Sequence, residues 1–286
     1  MAWLVGLLGV AGSGAQVESL SGLVFGNLEP REVRVFLPPG GATADTPVLV
    51  ALDGQNMKGW RLAEALVALA EKGGVVLPLV VAIPAGNDRL DEYGLAGQLD
   101  YAGRGRKAAD FQRFVVESVL PAVRTRYGVV AGPARTGVMG ASLGGMAAFD
   151  LAWRHPDVFG FAGIFSGSFW WRGEDSSPVA RQQSRLVHRR VRESPQAPRL
   201  RLWFEAGPRD ETDDRDGNGV IDAIQDTTEL LAELELRGFR RGRDLVYVEV
   251  AGGETAVAAR PPAGARNPRR PAAAALVRGG HEGRDG

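Results

Sequence analysis

Gly140-Ala141-Ser142-Leu143-Gly144 sets a serine between two glycines, after the apolar pair Val138-Met139 and before the helical pattern Met146 to Trp153. A serine at a strand-to-helix turn is held in a tight backbone conformation, and only small residues fit two before it and two after it. Gly140 and Gly144 meet that demand, so Ser142 is the candidate nucleophile. A serine hydroxyl attacks a carbonyl only when a base takes its proton, and the base needs an acid to fix its tautomer. In this arrangement the chain order is serine, acid, histidine. The acid belongs in the loop after a later strand; Asp210 in Gly207-Pro208-Arg209-Asp210-Glu211 is the first candidate and Glu211 the second. The backbone N–H groups of Leu143, beside the nucleophile, and of Gln55, after an earlier apolar run, are the candidate oxyanion donors.

These residues need a scaffold, and the hydrophobic pattern supplies one. Apolar runs over 47–52, 77–83, 159–165, 199–205 and 245–250 read as strands, and Val33, Val35 and Leu37 alternate as in a half-buried strand. Helical spacing over 60–72, 107–126 and 224–236 falls between them, with Pro121 expected to kink the second helix. Strands alternating with helices imply an α/β fold, a mostly parallel central sheet with helices on both faces. One domain over residues 17–254 accounts for the pattern.

Composition narrows the chemistry. The 286 residues carry 34 basic and 34 acidic side chains, so no global field draws the chain to nucleic acid. The absence of cysteine excludes disulfides, thiolate metal sites and a cysteine nucleophile. The apolar opening, Met1 to Ala11, is too short to span a membrane, while Ser13 and Ala15 suit cleavage before Gln16. Residues 1–16 are therefore read as an export signal, for a periplasmic or secreted protein; the alternative is a cytoplasmic protein with a buried first strand.

Asp214, Asp216, Asn218, Val220 and Asp222, with glycine at 219, match the opening of a calcium-binding loop, Val220 offering its carbonyl. Position 12 of that loop is Gln225, and Asp226 is the substitute closing ligand. A structural calcium beside Asp210 is one expectation, and an Asp/Gly-rich turn capping a helix is the other. Trp170 and Trp171 are read either as pocket walls or as core, and Arg89, Glu92 and Tyr93 either as pocket residues or as a network beside it.

Five stretches in order carry a resemblance: Leu52-Asp53-Gly54-Gln55, Arg89-x-x-Glu92-Tyr93, Gly140 to Gly145, Phe165-Ser166-Gly167-Ser168-Phe169-Trp170-Trp171 and Gly252-Gly253-Glu254. Together they resemble the esterase family of α/β hydrolases that includes enterochelin-esterase-like enzymes, feruloyl esterases, S-formylglutathione hydrolases and mycolyltransferases. The resemblance implies the α/β hydrolase fold and hydrolysis of a small-molecule carboxylic ester through an acyl-serine intermediate, without an organic cofactor. It also implies a histidine base in a Gly-Gly-x-His pattern, and here Thr255 stands at that place.

The chain has three histidines. His155 follows the elbow helix and is read as a cap, His188 lies in a basic helical stretch read as a solvated face, and His281 is in the tail. Of the 32 residues from Thr255 onward, 24 are Ala, Arg, Pro or Gly. Such low-complexity sequence cannot bury a core face and is expected to be disordered. It starts where the family pattern stops, which points to a reading-frame shift near codon 255. Three readings follow: a serine esterase crippled in its base, a catalytically inactive chain with the same fold, or an acyltransferase to an alcohol acceptor.

Overall fold

The computed structural model describes residues 16–250. The export-signal reading, Thr255, His281 and the low-complexity tail lie outside them. Eight strands form one sheet: β1 (Gln16–Leu20), β2 (Val33–Leu37), β3 (Val48–Leu52), β4 (Leu79–Ile83), β5 (Thr136–Ala141), β6 (Phe161–Phe165), β7 (Arg201–Ala206) and β8 (Leu245–Glu249). Their order is β1-β2-β4-β3-β5-β6-β7-β8. The first two pairings, β1 with β2 and β2 with β4, are antiparallel, and every pairing from β4 through β8 is parallel. The chain has the α/β hydrolase fold.

The helices are α1 (Leu62–Lys72), α2 (Arg89–Glu92), α3 (Ala108–Arg113), α4 (Leu120–Tyr127), α5 (Leu143–Arg154), α6 (Pro178–Gln183), α7 (Leu186–Glu193) and α8 (Asp222–Leu236). Both faces of β3 are buried, which is why its sequence runs Val-Leu-Val-Ala-Leu without a polar break. Val48, Val50 and Leu52 join the large core beneath α5, while Leu49 and Ala51 pack with Leu62 and Leu66 of α1 on the other face. Helix α5 is buried along nearly its whole length, with Phe149 stacked on Trp153 at 5.4 Å. Burying a Phe or Trp of this size contributes on the order of 2–3 kcal/mol, so α5 is held by packing more than by propensity.

The expected break at Pro121 takes a specific form. Residues Phe114–Val119 run as a π-helix between α3 and α4, and Pro121 then sits in the first turn of α4, where its missing N–H is harmless. Among the described residues no helix is long and apolar enough to cross a membrane.

Candidate active site

Adjacent strands β3, β5 and β6 each end in a residue with positive φ: Asp53 (φ 56°), Ser142 (φ 56°) and Ser166 (φ 47°). Such a conformation is costly for any residue with a Cβ, of order 1–3 kcal/mol each. Four described non-glycine residues adopt it, and these three line one cavity of about 270 Å³. Pairing of Ala51 with Met139 and of Ala141 with Phe165 puts the three strand ends in one row. The sheet thus delivers three strained side chains to one hollow.

At the centre, Ser142 (ψ −124°) turns β5 directly into α5. A Cβ on Gly140 would lie 2.3 Å from the Gly144 carbonyl oxygen, and one on Gly144 would lie 2.7 Å from Asp53 Oδ2. The two glycines are therefore steric requirements of the turn. Ser142 Oγ lies 3.1 Å from Ser168 Oγ, and Ser168 N–H donates to the Ser142 carbonyl at 3.1 Å. Leu143 opens α5, so its N–H belongs to the helix end that favours negative charge.

Asp53 is fixed from two sides. Arg89 donates to its carboxylate through Nε and Nη2, both at 2.7 Å, and Asp53 N–H donates to the Tyr93 hydroxyl at 2.9 Å. Burial pulls the Arg89 guanidinium down, but its bonds to Asp53 prevail and leave it above the ordinary arginine value. Burial drives the Tyr93 hydroxyl well above its ordinary range, so it stays neutral. Gln55, in the turn Gly54–Asn56, donates to Asp53 Oδ1 at 2.9 Å and accepts from Ala85 N–H at 3.0 Å.

Asp210 lines the same cavity, accepting from Ser166 Oγ and, at 2.6 Å, from Gly207 N–H. Glu211 lines it too, and burial, with Asp222 and Asp213 adding like charge against a bond from Ala223 N–H, pushes its carboxyl up to about 7.

The family model named "Putative esterase" matches residues 28–256, most of the chain. The chain belongs to this esterase family. Over 186 residues the chain is 29% identical to the iron(III) enterobactin esterase of Escherichia coli, covering 63% of this chain and 42% of that one. Over 150 residues it is 27% identical to the uncharacterized protein YbbA of Bacillus subtilis, covering 49% and 58%. The chain thus spans about half the length of these curated relatives. Among solved structures it is similar to the enterobactin esterase FES of Shigella flexneri crystallised with enterobactin (TM-score 0.62, 21% identity, 82% of this chain and 54% of that one). It is similar as well to the siderophore hydrolase EstB of Aspergillus nidulans (TM-score 0.60, 21% identity, 83% and 88%).

Several of the expectations read from the sequence change with the structure. Arg89 and Trp170 line the cavity, whereas Glu92 (1% exposed), Tyr93 and Trp171 (both 0%) do not reach it. Glu92 accepts two bonds from the buried Arg31 at 2.7 Å and one from Gly86 N–H at 2.9 Å, a lock between loops. His188 is not on a solvated face. It is 1% exposed, its Nε2 lies 2.9 Å from the Asp226 carbonyl, and burial together with Arg185 holds it well below the usual imidazole value. His155 caps the far end of α5, about 20 Å along the helix from Ser142.

The acidic loop is half suited to a metal. Asp214 accepts from the N–H groups of Gly217, Asn218 and Gly219, Asp216 accepts from Asn218 N–H, and Asn218 Oδ1 accepts from Val220 N–H. The closing carboxylates already face arginines: Asp222 Oδ1 takes Arg215 N–H at 3.0 Å and its guanidinium at 3.1 Å, and Asp226 Oδ1 is clamped by Arg185 and Arg215 while its buried Oδ2 has no hydrogen-bond partner. Two guanidiniums beside Asp226 oppose a second cation there. The carboxylates of the His188, Asp226 and Glu229 group face the same opposition, because Arg185 also pairs with Glu229.

Asp53, Ser166 and Ser168 stand within the motifs without having been assigned to the site, and Asn56 and Trp60 line the cavity without having been named. Their signal was present as position, since Asp53 and Ser166 are the first residues after apolar strand runs.

Proposed function

We propose that this chain is a serine carboxylic-ester hydrolase acting through an acyl-serine intermediate on Ser142. The observation that carries the reading is the row of strained residues Asp53, Ser142 and Ser166 around one cavity, because backbone strain of this kind persists where function demands it. Ser142 Oγ attacks the ester carbonyl, the N–H groups of Leu143 and Gln55 receive the oxyanion, and the alcohol leaves as the carbonyl reforms. Water then releases the acid and restores the serine. Trp60 and Trp170 line the cavity and suit a flat acyl or alcohol group, in keeping with relatives named as enterobactin and feruloyl esterases. The acidic loop 214–222 serves as a turn and helix start, with no metal in the reaction. Export through residues 1–16 belongs to the same proposal, as the site of action on an external ester.

The base is the weak point. Neither described histidine lines the cavity, and Thr255 occupies the place where the family pattern has one. Loss of a triad histidine costs on the order of 10⁶ in turnover and leaves about 10³ over water. The same lack favours a second reading, a chain that binds esters without turning them over.

The test is hydrolysis of p-nitrophenyl acetate and butyrate by the chain and by Ser142→Ala, each with and without free imidazole. A slow rate that needs Ser142 and rises with imidazole beyond the solution background supports the esterase. Equal rates for the two proteins under both conditions favour the binding reading.

A further inference from the structure

A cavity of about 750 Å³ lies at the end of the sheet away from Ser142. It is built at the N-terminal ends of the strands: Pro133 and Ala134 precede β5, Phe161 opens β6, Arg201 opens β7, and Arg243 and Asp244 precede β8. Ser142 follows the C-terminal end of β5, so the six residues of that strand separate the two sites by about 20 Å. A ligand in one does not touch the other.

Four arginines line this cavity, Arg199, Arg201, Arg237 and Arg243, against one carboxylate, Asp244. The whole chain is charge-balanced, so this excess is local. Asp244 is already bonded by Arg243 at 3.0 Å. The Nε of Arg237 is buried without a hydrogen-bond partner, an uncommon state for a guanidinium nitrogen. Beneath the charges the lining is apolar and includes Pro133, Phe161, Leu200 and Phe239, with the Arg201 guanidinium 5.7 Å above the Phe161 ring. Guanidinium groups over an apolar floor select oxyanions that carry a flat organic body. The volume falls within the usual span of small-molecule sites.

We propose that this cavity binds a small organic anion, with its aromatic or aliphatic body on the Phe161 and Phe239 side and its phosphate or carboxylate group among the arginines. The site is separate from the ester cavity and does not depend on the chain being an active esterase. Because binding orders the N-terminal ends of β5 to β8, the ligand stabilises the folded chain.

Calorimetric titration of the full chain with phenyl phosphate, benzoate and inorganic phosphate tests this. Phenyl phosphate binds tightest, benzoate less tightly through its single charge, and inorganic phosphate weakest for want of an apolar body. Raising the salt concentration weakens all three. Arg199→Ala/Arg243→Ala changes two exposed side chains and leaves folding intact, yet lowers phenyl phosphate affinity by about tenfold or more. Ala134→Trp, which narrows the floor without altering charge, lowers it independently. Absence of heat with phenyl phosphate overturns the proposal. So does equal affinity for phenyl phosphate and inorganic phosphate, or unchanged affinity in both variants.

Discussion

Gly140 shows how a single hydrogen can be a functional group. Its absent Cβ leaves room for the Gly144 carbonyl, and Gly140→Ala would press the two segments apart. We expect that substitution to lower unfolding stability by about 1–3 kcal/mol in urea denaturation; an unchanged midpoint would mean that the elbow can open freely. Glu211 gives a pH signature. Its carboxyl is raised to about 7 from an ordinary 4.5, so its contribution to stability is fully present below pH 4.5 and lost as pH rises through 7. Glu211→Gln should therefore gain melting temperature relative to the parent between pH 5 and pH 8; a pH-independent difference would place the group in ordinary solvent. Ser142 was legible in the sequence because its steric demands are met within two residues on either side. The Asp53–Arg89 pair was not, since its partners lie 36 residues apart and meet only once β3 and α2 are neighbours.

Helix α7 marks the limit of reading elements from pattern. Its basic run Arg185-Leu186-Val187-His188-Arg189-Arg190 looks solvent-facing, yet α7 packs on α8 and buries Leu186, Val187, His188 and Val191. Arginines at its ends reach carboxylates on neighbouring elements, Arg185 to Asp226 and Arg190 to Asp150, and so a basic helix joins the core. Strands were easier: the buried runs of β3 and β4 are continuous and end at polar loops, so their position followed from composition. The loop before α8 turns on the same kind of pairing. With Asp222 and Asp226 held by arginines, millimolar calcium should leave the melting temperature where a chelator leaves it. A rise of several degrees with calcium would return Asp214, Asp216 and Asn218 to a metal role. Arg215→Ala, which releases Asp222 and leaves Asp226 with Arg185 alone, should make the loop more responsive to calcium than the parent.

Across the molecule, parallel registry puts the exits of β5, β6, β7 and β8 on one edge: Ala141 pairs with Phe165, Phe165 with Glu205 and Glu205 with Val248. At about 4.8 Å per strand, the Asp210 loop starts roughly 10 Å from Ser142 and the segment after β8 roughly 14 Å. The order serine, acid, histidine assigns the base to the sequence that follows β8. We expect Thr255→His to raise p-nitrophenyl acetate hydrolysis, and Asp210→Asn to matter only when combined with it. The loss from Asp210→Asn should be about tenfold or more in the Thr255→His variant and slight in the parent chain. Equal losses in both backgrounds would mean that Asp210 acts without a histidine. The positive φ of Ser142 has one more consequence. Glycine accepts that conformation without strain, so Ser142→Gly should make the chain more stable by about 1 kcal/mol while ending its chemistry.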